Sequence, residues 1–191
     1  MKEPHIFHGH LHAPFFIFFR GEPRLSDEQV LAHFGLPAHR LTPSVPPFST
    51  YVVLADLGDW TMLADDWLYR LWHLPTTRPA IASLARSRDV FAWSIGECDE
   101  SFEYYLYTGG ELVRQYTVDS PHYNDRIIRI DFGRRPSFET EFFAGDLPID
   151  RKLNQYCLNL GIDTRVTPDQ LRIYSEPYQS RLTLEGAIHN F

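Results

Sequence analysis

The chain has 191 residues, 43% of them apolar and 23% charged, and a formal net charge of −7. That length suits one domain with its own core, and an aromatic content of 15% excludes an intrinsically disordered body. The acidic balance argues against a nucleic-acid binder, whose phosphate contacts need a basic surface; it fits plain solubility or a basic protein partner.

Cys98 and Cys157 are the two cysteines, too few for a disulfide framework and too far apart for a CxxC pair. The opening Met1-Lys2-Glu3-Pro4 lacks the basic-then-apolar pattern of a secretion signal, so a cytoplasmic protein is expected. The most apolar run is Phe15-Phe16-Ile17-Phe18-Phe19, far too short to cross a bilayer, and no membrane partner is expected.

In chain order, the first feature is His8-Gly9-His10-Leu11-His12. On an extended strand the three imidazoles project from one face, and neutral imidazole is a common metal ligand. Residues 15–19 then read as a strand apolar on both faces, ended by Gly21 and Pro23. Ser26 and Gln29 form a capping box for a helix with Val30, Leu31 and Phe34 on its apolar stripe and Gly35 at its end. Four prolines between Leu36 and Pro47 predict a mobile loop.

Residues 51–55 and 60–63 predict two strands about a turn. Asp65-Asp66 stands where a helix cap stands, before Trp67, Leu68, Leu71 and Trp72 on one helical face. A shorter helix from Pro79 buries Ile81, Leu84 and Ala85. Residues 89–132 predict an antiparallel meander. Its strands are 90–95, then a stretch where Phe102, Tyr104 and Leu106 alternate against Glu103, Tyr105 and Tyr107, then 112–118, then 126–132 with Ile128, Ile130 and Phe132 facing inward. Asp150 predicts the cap of a helix carrying Leu153, Tyr156, Cys157 and Leu160, ended by Gly161; Thr167 and Gln170 predict a second capping box opening a short helix. The expected fold is therefore a single α+β domain over residues 1–191. Its antiparallel sheet has about five or six strands, with helices packed mainly on one face.

Two stretches carry chemistry. His8, His10 and His12 chelate a divalent metal if His5, His122 or another ligand converges on them; otherwise they form an exposed histidine-rich strand. Their metallo-β-lactamase or cupin companions are missing, because Ala13-Pro14 follows and the stretch from Pro14 to Phe19 contains no Glu. The second stretch is Gly96-Glu97-Cys98-Asp99-Glu100-Ser101, with Glu103 close by and no Lys or Arg before Glu111. Crowded carboxylates raise one another's pKa values and can meet a partner's Lys or Arg cluster; the blander reading is a solvated turn. With Tyr105 and Tyr107 beside them, Glu97, Asp99, Glu100 and Glu103 are the candidate partner-binding residues. Trp60, Trp67, Trp72 and Trp93 read as core, and Arg126, Arg129, Arg134 and Arg135 form a small basic cluster.

The stretch built from Trp60, Asp65-Asp66-Trp67, Leu71-Trp72-His73, Val90-Phe91-Ala92-Trp93-Ser94-Ile95-Gly96-Glu97-Cys98-Asp99-Glu100-Ser101-Phe102 and Gly110-Glu111-Leu112-Val113-Arg114 resembles uncharacterised bacterial single-domain proteins. Some of these resemble the small immunity proteins that neutralise toxins of neighbouring bacteria. The resemblance is limited to residues 60–116 and implies no catalytic residues. The acidic hairpin, with Tyr104, Tyr105 and Tyr107 beside it, adds the leading expectation: a non-enzymatic bacterial binding domain, without cofactor, that occludes a basic site on a protein partner. A metal-dependent hydrolase built on the histidine run, and a structural subunit of a larger assembly, are the two other expectations.

Overall fold

A computed structural model describes residues 15–43, 51–65, 71, 74–96, 101–119, 127–139 and 148–176. Nine strands form one antiparallel sheet: β1 (Phe15–Arg20), β2 (Arg40–Thr42), β3 (Tyr51–Leu57), β4 (Trp60–Asp65), β5 (Asp89–Ile95), β6 (Phe102–Thr108), β7 (Glu111–Asp119), β8 (Ile127–Gly133) and β9 (Arg172–Ser175). Their order across the sheet is β2-β9-β3-β4-β1-β5-β6-β7-β8. Among the described residues the helices are α1 (Asp27–His33), α2 (Thr77–Ala85) and α3 (Ile149–Asn159).

The first strand lies in the middle of this order. Phe15 stands opposite both Asp65 and Ser94, and Phe18 opposite Met62 and Phe91. Successive side chains of a strand point to opposite faces, so an apolar run must be covered twice. Phe15, Ile17 and Phe19 pack with Val30 and Leu31 of α1 and Ile81 and Leu84 of α2. Phe16 and Phe18 pack on the other face with Trp93, Tyr104 and α3's Leu153, Tyr156 and Cys157. Phe91 stacks on Tyr156 at 5.1 Å between centroids, and Phe16 lies 5.5 Å from Trp93. Trp60 and Trp93 are core, as is Cys157, whose thiol burial pushes well above its usual pKa.

The helix ends follow local chemistry. Ser26 Oγ accepts from the Gln29 amide while Gln29 Oε1 accepts from the Ser26 amide, the capping box predicted for α1. At the end of α3 the Gly161 amide donates to Leu158 and the Ile162 amide to Cys157; Gly161 has φ +77°, which a side chain would disfavour. The Asp150 cap is corrected: α3 begins at Ile149, with Pro148 at its cap and no side-chain cap bond. At Thr167 only half of the expected capping box is made: Gln170 Oε1 accepts from the Thr167 amide, but the Gln170 amide donates to the Thr167 carbonyl, and a single 3-10 turn, Pro168–Gln170, follows.

The sheet also corrects the expected fold. Among the described residues it has nine strands rather than five or six, it outweighs the helices, and these short helices cover both faces instead of mainly one. Two strands went unforeseen. β2 lies inside the proline-rich segment predicted as a loop, whose residues 44–47 are outside the described set. β9 follows the 3-10 turn and joins β2 to β3. It is tied down by Arg172, which donates to Asp27 and Asp56, and by the Tyr174 hydroxyl, which donates to Asp27 at 2.6 Å. Three- and four-residue strands are too short to display an alternation, so only their pairing reveals them.

The other correction concerns β8. Ile128, Ile130 and Phe132 do not face inward: they are 57%, 38% and 52% exposed. β8 is the sheet's edge, every residue on it is exposed, and a bulge at Arg129 breaks its register with β7. Gly133 sits at φ +89°, where an added Cβ would fall 2.1 Å from the Val113 carbonyl oxygen. Only glycine permits that closeness of β7 and β8.

Phe18→Ala is expected to destabilise the protein by about 3–5 kcal/mol, as for other large core truncations. Phe132→Ala is expected to stay within about 0.5 kcal/mol, the range of surface changes. Urea unfolding of both variants checks this, and equal losses would mean that the assignment of inner and outer strands is wrong.

Candidate functional site

One end of the sheet gathers the ends of several strands. Cross-strand pairs place Phe15 beside Asp65 and Ser94, Ile95 beside Phe102, Phe102 beside Val118, and Asp119 beside Ile127. Here β5 turns into β6. The Gly96 amide donates to the Ser101 carbonyl at 2.8 Å, closing the base of the connection that holds Glu97, Asp99 and Glu100. Those three residues lie outside the described set, as do Cys98 and the histidines His5, His8, His10, His12 and His122. Trp67, Leu68 and Trp72 lie outside it too, while Leu71 is buried and its amide donates to Asp65, a fully buried carboxylate. Among the described residues no group of three or more His, Cys, Asp or Glu is placed to hold a metal ion.

The remaining candidate residues sit on β6. Glu103 is 6% exposed and faces inward. Its carboxylate accepts from Arg78 Nη2 at 3.0 Å, from the Tyr105 hydroxyl at 2.7 Å and from Thr117 Oγ1 at 3.3 Å. Arg78, from α2, also lies 5.7 Å from the centroid of the Tyr105 ring. A buried carboxylate needs such answers, because desolvation otherwise disfavours its charge. Tyr105 is buried as well; burial raises its pKa, and the negative Glu103 that it hydrogen-bonds raises it further. Tyr107 is half-buried, and burial raises its pKa while Arg78 opposes the rise. Glu103 and Tyr105 therefore brace the root of the acidic connection, whereas Tyr107, half-buried and opposite Val90, lies at the far end of β6 from it and is not brought together with the acidic residues.

On the opposite face lies a cluster that sequence reasoning missed. Arg114 of β7 and Glu139 are both fully buried. Arg114 Nε donates to the two Glu139 oxygens at 2.9 and 3.1 Å, and Nη1 donates to Asp131 and to the Phe132 carbonyl, each at 2.7 Å. The guanidinium lies 5.4 Å from the Tyr116 ring centroid, and the Tyr156 hydroxyl of α3 donates to Glu139 at 3.4 Å. Burial works against Arg114's charge, but the hydrogen bonds to Glu139 and Asp131 hold it protonated. Hydrogen bonds from Arg114 and Arg135 lower the Asp131 pKa. The available signal was alternation: Arg114 shares a strand face with Tyr116 and Val118, so a cation stood at an inward position.

This arrangement offers neither a nucleophile with its base nor a carboxylate pair open to a substrate. It ties β7, β8, residue 139 and α3 into one unit. No family model, curated protein or solved structure matches the chain. Among the described residues no helix is long and apolar enough to cross a membrane.

Removing one partner of the buried pair, as in Arg114→Ala, is expected to cost about 3–5 kcal/mol, because Glu139 is left buried and unanswered. The double variant Arg114→Met with Glu139→Leu should lose far less than the sum of its single changes, and a double-mutant cycle by urea unfolding measures the difference.

The pH dependence has a definite sign. Asp131 has a folded-state pKa below its ordinary 3.8, so it contributes stability above that value and loses it as pH falls through the folded pKa. Asp131→Asn should accordingly narrow the stability gap to the parent protein below about pH 4 and show the full gap at pH 7. A gap that stays constant from pH 7 to pH 3 would contradict this.

Proposed function

We propose that the chain is a non-enzymatic protein-binding domain of bacterial type, acting in the cytoplasm in the manner of an immunity protein. Its acidic end covers a basic site on a protein partner. The observation that supports this reading most directly is the mounting of the β5–β6 connection. The Gly96–Ser101 hydrogen bond closes it, and the two strands that carry it are packed in both cores. A short connection on a rigid base is a favourable platform for recognition, because the strands that carry it are already fixed before binding. Glu97, Asp99 and Glu100 then supply the charge. Glu103 and Tyr105 act from beneath as positioning residues rather than as contacts.

Occlusion needs no chemistry from the chain. Complementary charge steers encounter and suppresses wrong partners, while desolvated contacts set the lifetime of the complex. The histidine run favours a second reading, a metal-dependent hydrolase. Its support is that β1 starts at Phe15, at the same sheet end as the β5–β6 connection. Elemental analysis of untagged protein separates the two: stoichiometric zinc, iron or manganese that is lost in His10→Ala favours the hydrolase.

The binding reading predicts that a combined Glu97→Lys, Asp99→Lys and Glu100→Lys variant binds the captured partner at least about tenfold more weakly, a change of about 1.4 kcal/mol. Titration calorimetry at 50 and 300 mM salt should show the parent's affinity falling with salt and the variant's hardly changing. An unaltered Kd in the variant would remove the acidic end from the interface.

A further inference from the structure

The basic cluster and the exposed edge coincide. Four large apolar side chains, Ile127, Ile128, Ile130 and Phe132, are 38–57% exposed on β8. The same strand and the turn after it carry Arg129, Arg134 and Arg135, all exposed, on a chain whose net charge is −7. Arg129 meets Asp119 and Arg135 meets Asp131, while Arg134 has no carboxylate partner among the described residues. Surface pairs of this kind contribute little and exchange readily for other carboxylates.

An edge strand presents unpaired N–H and C=O groups to any strand that fits beside it. The opposite edge, β2, has three residues; β8 has seven. Beyond the bulge at Arg129, the run 130–133 keeps regular register with β7. Cross-strand pairing puts Ile130 and Phe132 on the face of Thr117 and Gln115, and Ile128 on the face of Val118. An incoming strand would thus find apolar contacts with Ile130 and Phe132 on one face and arginines at its flanks.

We infer that β8 is a docking edge for an extended, acidic segment of a partner protein, one that alternates apolar residues with Asp or Glu and adds a tenth strand to the sheet. Charge decides the occupant. A second copy would bring Arg129, Arg134 and Arg135 against the same arginines, and the bulge twists the edge away from an identical one. A flat anionic membrane surface would face the acidic chain as a whole, whereas a single extended segment meets only the edge with its arginines. This surface is separate from the acidic β5–β6 connection and does not rest on the function proposed for it.

The test uses the full chain and two capped heptapeptides, Glu and Val alternating in one, Lys and Val in the other. NMR titration should give saturable amide shifts centred on residues 128–133 with the Glu peptide and none with the Lys peptide. Methylating alternate backbone nitrogens of the Glu peptide should abolish the shifts, since edge pairing needs those donors. Arg129→Glu with Arg134→Glu, checked for an unchanged thermal melt, should weaken binding at least tenfold. Absence of binding by the Glu peptide, or equal binding by the double variant, overturns the proposal. So does a dimer in sedimentation that Phe132→Asp dissolves, or binding to phosphatidylserine vesicles that Phe132→Asp abolishes, since the edge would then serve a second copy or a membrane.

Discussion

A strand with aromatic or aliphatic side chains on both faces has one stable setting, the interior of a sheet covered above and below. Residues 15–19 impose that setting, and the rest of the architecture follows from it. β1 must have a partner on each side, which β4 and β5 provide. It must have cover on each face, which brings α1 and α2 to one side and α3 to the other. The sheet then grows outward on both sides by short antiparallel connections, β5 to β8 in one direction and β4 to β3 in the other. Only β9 and β2 arrive by longer routes.

A sheet enclosed on two faces has little room for polar groups, and the charged side chains inside it are answered individually. Glu103 meets Arg78 on the α2 side; Arg114 meets Glu139 and Asp131 on the α3 side. Both clusters lie on the β6–β7 half of the sheet. Each joins a strand to something that covers it, α2 in the first case and residue 139 with α3 in the second. An apolar pair in either place would pack as well, but it would tolerate slippage. A guanidinium that must meet its carboxylate accepts one register only, which makes specificity a reason for such pairs even where their net stabilisation is small.

These two clusters mark where the sequence could be read and where it could not. The double-faced β1, the Ser26–Gln29 box and the Gly161 terminator were legible because each is local: a run, a four-residue pattern, a single glycine. β2 and β9 were not, because strands of three and four residues owe their existence to partners more than a hundred positions away. Alternation on β6 separated Phe102, Tyr104 and Leu106 from Glu103, Tyr105 and Tyr107, but it does not say how many faces are covered. Taking the second set as a solvent face was reasonable for a sheet covered once. With α2 over that face, Glu103 and Tyr105 became interior. The same ambiguity ran the other way on β8, where the apolar residues form an alternating pattern that nothing among the described residues covers.

The two proposed surfaces differ in kind because the sheet offers them differently. At a strand end the backbone turns, its hydrogen bonds are closed by the connection, and recognition must come from side chains; there charge is what the sequence supplies. At a strand edge the backbone itself is open, so the affinity resides in main-chain pairing and the side chains only select among partners. An acidic end and a basic edge on one rigid sheet also keep the two from competing, since a segment drawn to Arg129 and Arg134 is repelled by Glu97 to Glu100. That separation of charge is an argument about specificity rather than strength: each surface excludes the other's ligand before any contact is made.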